Sequence, residues 1–165
     1  MIIFNVKNYG QIKIELNREY APISSANFTE LSRSGFYNGL TFHRVIKGFV
    51  LQGGDPKNDC TGGPGYSIKG EFNSNGVNNP LKHKRGALSM ARSMNPNSAG
   101  SQFFICHQDC PSLDGDYAVF GKVVEGMDIV DKIANLKTDF RDKPLEKVEY
   151  TVEVIDEPVV EFTKL

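Results

Sequence analysis

The chain has 165 residues, with 19 Lys+Arg against 20 Asp+Glu, a formal net charge of −1, 39% apolar residues and 24% charged residues. That length allows one domain burying roughly 70% of its unfolded surface. The balanced charge argues against a dedicated nucleic-acid binder, and the apolar fraction is too high for disorder and too evenly spread for a membrane protein.

The chain opens with period-2 alternation. Ile2, Phe4 and Val6 lead into Asn8-Tyr9-Gly10, and Ile12, Ile14 and Leu16 then alternate with Lys13 and Glu15. This pattern predicts an antiparallel hairpin of two half-buried strands. The first apolar run ends at Phe4, too short for the about 7–15 apolar residues of a secretory leader. The expected location is therefore the cytoplasm, or the nucleus in a eukaryote, with no membrane partner. Helical spacing follows from about Pro22 to Ser34. Pro22 suits the first turn, Gly35 the position past the end, and Phe28 and Leu31 share a face.

Short strands are predicted at 41–46 and 49–52. A long connection from Gly53 to Lys84 then carries seven glycines, and loops of this length are usually functional. Neither GxxxxGK[ST] nor a GxGxxG opening a helix occurs, which removes the phosphate-cradle reading. Lys82-His83-Lys84-Arg85 reads as a solvated basic loop. Strands are predicted again at 87–91, 102–106 and 118–123, with a helix over about Gly126 to Asn135. Val148, Tyr150, Val152 and Val154 restore the alternation. Both ends of the chain are thus strand-like, and their pairing would close a sheet into a barrel. Sixteen Gly and eight Pro, above the usual roughly 12%, fit such a turn-rich β domain.

Cys60, Cys106 and Cys110 are an odd set without an export signal and read as free thiols. A zinc site would need four ligands in tetrahedral order. Cys106, His107 and Cys110 lack a second pair at metal spacing, so no metal is assigned.

Period 2 assigns faces to the central strands. Val50 and Gln52 share one, with Phe49 and Leu51 opposite. Gln102 and Phe104 share another, with Phe103 and Ile105 opposite. Phe42, Arg44 and Ile46 share a third. Read from spacing alone, Arg44 and the two Gln are solvent-facing residues. No nucleophile–His arrangement and no paired carboxylates occur, so the residues by themselves reach a β-barrel with helices and a glycine-rich loop, and no function.

The motifs go further. FHRVIKGFVLQGGD at 42–55, TGGPG at 61–65, LSMAR at 88–92, NPNSAGSQFFI at 95–105 and LDGDYAVFGKVVEGM at 113–127 resemble, in order, the signatures of the cyclophilins, a family of peptidyl-prolyl cis–trans isomerases. The similarity runs from about Ile2 to Ile155. It implies a mainly β fold, a closed eight-stranded antiparallel barrel capped by two α-helices, over residues 1–165 with a core at 2–155 and a short extension at 156–165. It also implies a groove on the barrel's outer face. Arg44, Gln52 and Phe49 would be catalytic. Val50, Ala91, Arg92, Gln102, Phe104, Leu113 and Tyr117 would bind substrate. No cofactor and no nucleic acid are implied. Partners would be proline-containing peptides and unfolded or partly folded proteins, and the chain would be monomeric. An alternative is a proline-motif binding module of a larger assembly, with incidental catalysis.

The chain departs from the better-known members at several positions. Ser112 stands where many carry Trp, and this sequence has no Trp at all. Tyr117 replaces a His, Arg92-Ser93 replaces Asn-Ala, and Cys60 replaces Gly. Loss of the indole donor and its contact area implies weak cyclosporin binding.

Overall fold

The alternation at the start of the chain forms a hairpin in the computed structural model, which describes residues 1–165. Strand β1 (Ile2–Val6) pairs antiparallel with β2 (Gly10–Leu16), Phe4 lying opposite Ile12. On its other edge β1 takes β9 (Glu149–Val154), Phe4 opposite Val152, so the two ends of the chain do pair. The remaining strands are β3 (Leu40–Thr41), β4 (Arg44–Val45), β5 (Val50–Gly53), β6 (Ala87–Met90), β7 (Phe103–Cys106) and β8 (Val119–Glu125). All nine form one antiparallel sheet in the order β3-β9-β1-β2-β8-β6-β7-β5-β4.

The expected closed eight-stranded barrel needs correction. The sheet curls around its core, but its edges β3 and β4 do not pair with each other. They are consecutive pieces of the segment predicted as a single strand over 41–46, broken at Phe42 and His43. The break follows from a change of partner. Phe42 N donates to Val148 O at 3.1 Å, and Val45 N donates to Asp142 O at 2.7 Å. Period 2 therefore fails there. Phe42 and Val45 both enter the core, and Phe42, Arg44 and Ile46 do not share a face.

Helix α1 (Pro22–Arg33) packs on β8 and β9, and α2 (Met127–Ala134) on β2 and β5. Phe28 and Leu31 from α1, and Ile129, Val130 and Ile133 from α2, join the inward residues of the sheet in one core. At its centre Phe103 meets Phe4 at 5.3 Å, Phe28 at 5.4 Å and Tyr37 at 5.6 Å between ring centroids, each edge-on. Such pairs contribute about 0.5–1.5 kcal/mol beyond area burial. Gly126 caps α2 at a φ of 104°, and a Cβ there would lie 2.4 Å from Gln11 O, so only glycine fits.

Ala21 gives the N-terminus of α1 no side-chain cap. Buried Glu71 supplies one from 48 residues away, accepting from Ile23 N at 3.1 Å and from Ser24 N and Oγ at 2.6 and 2.7 Å. Its carboxylate faces the positive end of the helix dipole. The 53–84 connection is accordingly structured. Ile68 and Phe72 are core residues, and Ile68 bridges to Ala99.

Candidate active site

The outer face of β4, β5, β7 and β6 carries one row of side chains. Arg44 is the register partner of Gln52, Gln52 of Phe104, and Phe104 of Ser89. Directly opposed residues on neighbouring strands point to the same face about 4.5–5.5 Å apart. The row thus runs from a cation through a carboxamide to an aromatic ring.

Arg44 Nη1 donates to Gln52 Oε1 at 3.3 Å, Gln52 Nε2 to Gln102 Oε1 at 2.8 Å, and Gln102 Nε2 to Gly62 O at 2.9 Å. Each glutamine therefore has both ends of its carboxamide in use, which holds it in one orientation. Beyond Gln52 the strand end is pinned. Gly54, at a φ of 84°, donates N–H to Tyr150 Oη at 2.8 Å, and Ser101 Oγ donates to Gly54 O at 2.7 Å. A Cβ on Gly54 would fall 2.4 Å from Ser101 O.

A polar cavity and an apolar cluster meet at this row. On the polar side, Arg44, Gln52, Gly62, Tyr66, Ala91 and Gln102 line a cavity of about 560 Å³, with Arg92 and Gly100 in its wall. On the apolar side, Val50 and Phe104 form a second cluster, separate from the core, with Phe49, Ala91, Leu113 and Tyr117 packed against it. All ten residues expected at the site therefore lie on one surface. A second face assignment also fails. Phe49 joins this cluster together with Val50 rather than facing away from it, because Phe49 precedes β5 in a turn closed by its N–H on Ile46 O at 2.9 Å. The pairs Val50 with Gln52 and Gln102 with Phe104 hold as predicted.

Tyr117 stands edge-on to Phe104 at 5.9 Å, and the Arg92 guanidinium lies between rings, 4.6 Å from Tyr117 and 4.8 Å from Phe72. Arg92 is further bound to Asp116 O at 2.6 and 3.1 Å. Its charge thus braces the aromatic wall. Ser112 lies exposed in the short turn Pro111–Leu113. Cys60 is exposed on the cavity rim at a φ of 72°. Partial desolvation at the rim pushes the Cys60 thiol up, against the opposing pull of Arg44.

Sequence reasoning missed His83, assigned above to a solvated loop. It is 1% exposed and stacks on Phe104 with centroids 5.8 Å apart. Its Nδ1 meets Asp114 Oδ1 at 3.0 Å and its Nε2 meets Ser89 Oγ at 2.9 Å. Burial lowers its pKa, with Asp114 opposing. A usable signal existed: Leu81 and His83 alternate with exposed Lys82 and Lys84. Cys106 and Cys110 form the floor of the apolar cluster, and burial pushes both thiols up. His107 is a structural residue, accepting from Gly48 N at 2.8 Å and meeting Asp131 at 3.1 Å. No helix is long and apolar enough to cross a membrane.

The family model for cyclophilin type peptidyl-prolyl cis-trans isomerases matches residues 1–153. A peptidyl-prolyl cis-trans isomerase of Helicobacter pylori is 52% identical over 128 residues, covering 76% of each chain. Isomerase B of Bacillus subtilis is 48% identical over 132 residues, covering 80% of this chain and 89% of its own. Among solved structures, a Cryptosporidium parvum cyclophilin determined in the presence of the dipeptide Ala-Pro superposes with a TM-score of 0.86 at 35% identity. The match covers 94% of this chain and 99% of that one. With the groove, the motifs and these relatives in agreement, the chain belongs to the cyclophilin-type peptidyl-prolyl cis–trans isomerases.

Proposed function

We propose that Arg44 is the catalytic group, that Gln52 and Gln102 hold it in place, and that Phe49, Val50, Phe104, Leu113 and Tyr117 seat the proline ring. Rotation about an Xaa–Pro bond must pass a barrier of about 18–20 kcal/mol, because the amide is partly a double bond. Uncatalysed exchange takes roughly 10–100 s. No bond breaks, so no nucleophile is needed. At the barrier the amide nitrogen becomes pyramidal and its lone pair free. A fixed guanidinium N–H can donate to that nitrogen, whereas the planar ground-state nitrogen accepts poorly. The interaction is thus stronger in the transition state, and each 1.36 kcal/mol of that difference is about tenfold in rate.

The observation that carries this reading is the row Arg44–Gln52–Phe104 across three adjacent strands. It sets a cation at the boundary between an apolar seat and a polar cavity. A ring anchored over Phe104 leaves its preceding peptide facing Arg44. Ala91, the Arg92 backbone and the cavity would take the residues before the proline. The substrates would be proline-containing peptides and partly folded proteins.

The test is an NMR exchange or protease-coupled assay on an Xaa–Pro peptide with wild type, Arg44→Ala and Arg44→Lys. Removing a preorganised donor typically costs about 10²–10³ in rate, and that loss is expected for Arg44→Ala with peptide binding kept. An unchanged rate in Arg44→Ala overturns the assignment. A wild type that binds the peptide without accelerating exchange favours the binding-module reading.

A further inference from the structure

Residues 157–165 lie beyond the segment that matches the family and form no helix or strand. They are nonetheless tied down at two ends. At the first, the Glu157 carboxylate pairs with the Met1 amino group and accepts from Arg18 Nε at 3.0 Å and Nη2 at 2.7 Å. Arg33 Nη2 donates to Glu157 O at 2.6 Å. At the second, Leu165 N donates to Ser67 O at 2.8 Å, and Ser67 N to Leu165 O at 3.3 Å. Between them Pro158, Val159 and Val160 arch over a cleft of about 250 Å³ against α1.

The second tie grips the groove wall. The Phe162 ring lies 6.3 Å from Tyr66. Lys164 Nζ lies 4.8 Å over the Tyr66 ring and 3.1 Å from Glu30 Oε2. Tyr66 is itself a wall residue of the groove cavity, as is the run Thr61–Pro64 before it. Across residues 61–67, the two bonds with Leu165 are the only main chain–main chain hydrogen bonds. A segment with so few backbone bonds opens easily unless something else holds it. Its other anchors are side chains. Burial and then Glu30 push the Tyr66 hydroxyl up to about 12, so it stays protonated and donates to Asn27 Oδ1, while Asn27 Nδ2 donates to Gly100 O at 2.7 Å. Pro64 packs on Gly100, where a Cβ would lie 2.7 Å from Pro64 Cδ. From this wall Gly62 O reaches Gln102, then Gln52, then Arg44.

We propose that residues 162–165 are a positioning strap for the groove. By holding Tyr66 and Ser67 they set the wall that carries Gly62, and with it the polar cavity that takes the residues before the proline. The strap touches no substrate. It acts through Tyr66 and Gly62. The inference rests on the groove being the isomerase site, but half of its test does not.

The test is the double variant Phe162→Ala/Lys164→Ala in the full chain, with the Glu157 clasp intact. Two quantities are read: amide hydrogen exchange at 61–67, and kcat and KM on an Xaa–Pro peptide. Exchange at 61–67 is expected to rise while that of β1, β2 and β9 stays unchanged. The value of kcat/KM is expected to fall about 3- to 10-fold, mainly through KM, a loss of up to about 1.4 kcal/mol. The conservative pair Phe162→Tyr/Lys164→Arg restores both. Glu157→Gln, which loosens the remote clasp, lowers the melting temperature without moving KM. Unchanged exchange at 61–67 overturns the strap, whatever the activity. So does raised exchange with unchanged KM, or a KM change that Glu157→Gln reproduces. An inactive wild type would instead sink the catalytic reading while the exchange result stands.

Discussion

Gln52 of β5 and Gln102, just before β7, meet side chain to side chain at 2.8 Å although they are 50 residues apart in sequence. Gln52 spends its oxygen on Arg44 and Gln102 spends its nitrogen on Gly62 O. Neither is the free solvent-facing residue that its composition class predicts. They form one hydrogen-bonded unit that meets the guanidinium through Gln52.

The two glutamines are therefore expected to be coupled. Gln52→Ala and Gln102→Ala would each lower kcat/KM, and the double variant would lose less than the sum. Contacting residues in one network typically show about 0.5–3 kcal/mol of interaction energy. A double-mutant cycle on kcat/KM with matched stability measurements reads it. Strict additivity would mean that Gln102 does not hold Gln52.

Ser112 predicts the drug response. It is exposed beside Leu113 in the turn that borders the apolar seat. Cyclosporin is expected to inhibit weakly, at concentrations well above nanomolar. Ser112→Trp restores a large ring and an indole donor at that rim and is expected to tighten inhibition, with turnover of small peptides little altered. Isothermal titration of both forms measures this, and nanomolar binding by the unmodified chain contradicts it.

Stability is expected to fall on mild acidification. Burial lowers the pKa of His43 and of His83, opposed by Asp55 and Asp114 respectively. Both are therefore held neutral in the folded chain. At a pH above the unfolded value of about 6.5 both states are neutral and the histidines contribute no pH dependence. As pH drops through that value the unfolded chain takes up protons first, so unfolding becomes easier until the lower folded pKa is reached. Urea unfolding between pH 7.5 and 5 tests the sign. His43→Gln and His83→Gln are each expected to flatten the slope. Stability rising over that range would reverse the sign.

Glu71 is expected to stabilise without touching turnover. Removing it leaves Ile23 N, Ser24 N and Ser24 Oγ without their acceptor at the uncapped start of α1. Hydrogen bonds to charged groups are worth about 1.5–3 kcal/mol, so Glu71→Ala is expected to cost about 2–3 kcal/mol. Glu71→Gln, which keeps an acceptor oxygen, costs less. Thermal unfolding reads the difference, and kcat of the folded fraction is expected to stay unchanged.

Much of this protein was decided locally. The alternation at 2–16 and 148–154 and the helical spacing at 22–34 and 126–135 are enough for the β-rich class and the two helices, and the motif runs from 42 to 127 are enough for the family. These are short-range patterns, and side-chain period and turn chemistry act over a few residues. What the tertiary structure decided is where distant segments meet. Strand register put Arg44, Gln52 and Phe104 in one row, pairing Arg44 with Gln52 across a short turn and Gln52 with Phe104 on a strand remote in sequence. The same pairing broke the 41–46 strand, because Val148 and Asp142 offered Phe42 and Val45 other acceptors. It also buried His83 from within a basic run, where Phe104 stacks on its ring and Asp114 and Ser89 meet its two nitrogens. A residue's own neighbours in sequence carry no record of such partners, so its burial and its role were settled only by the fold.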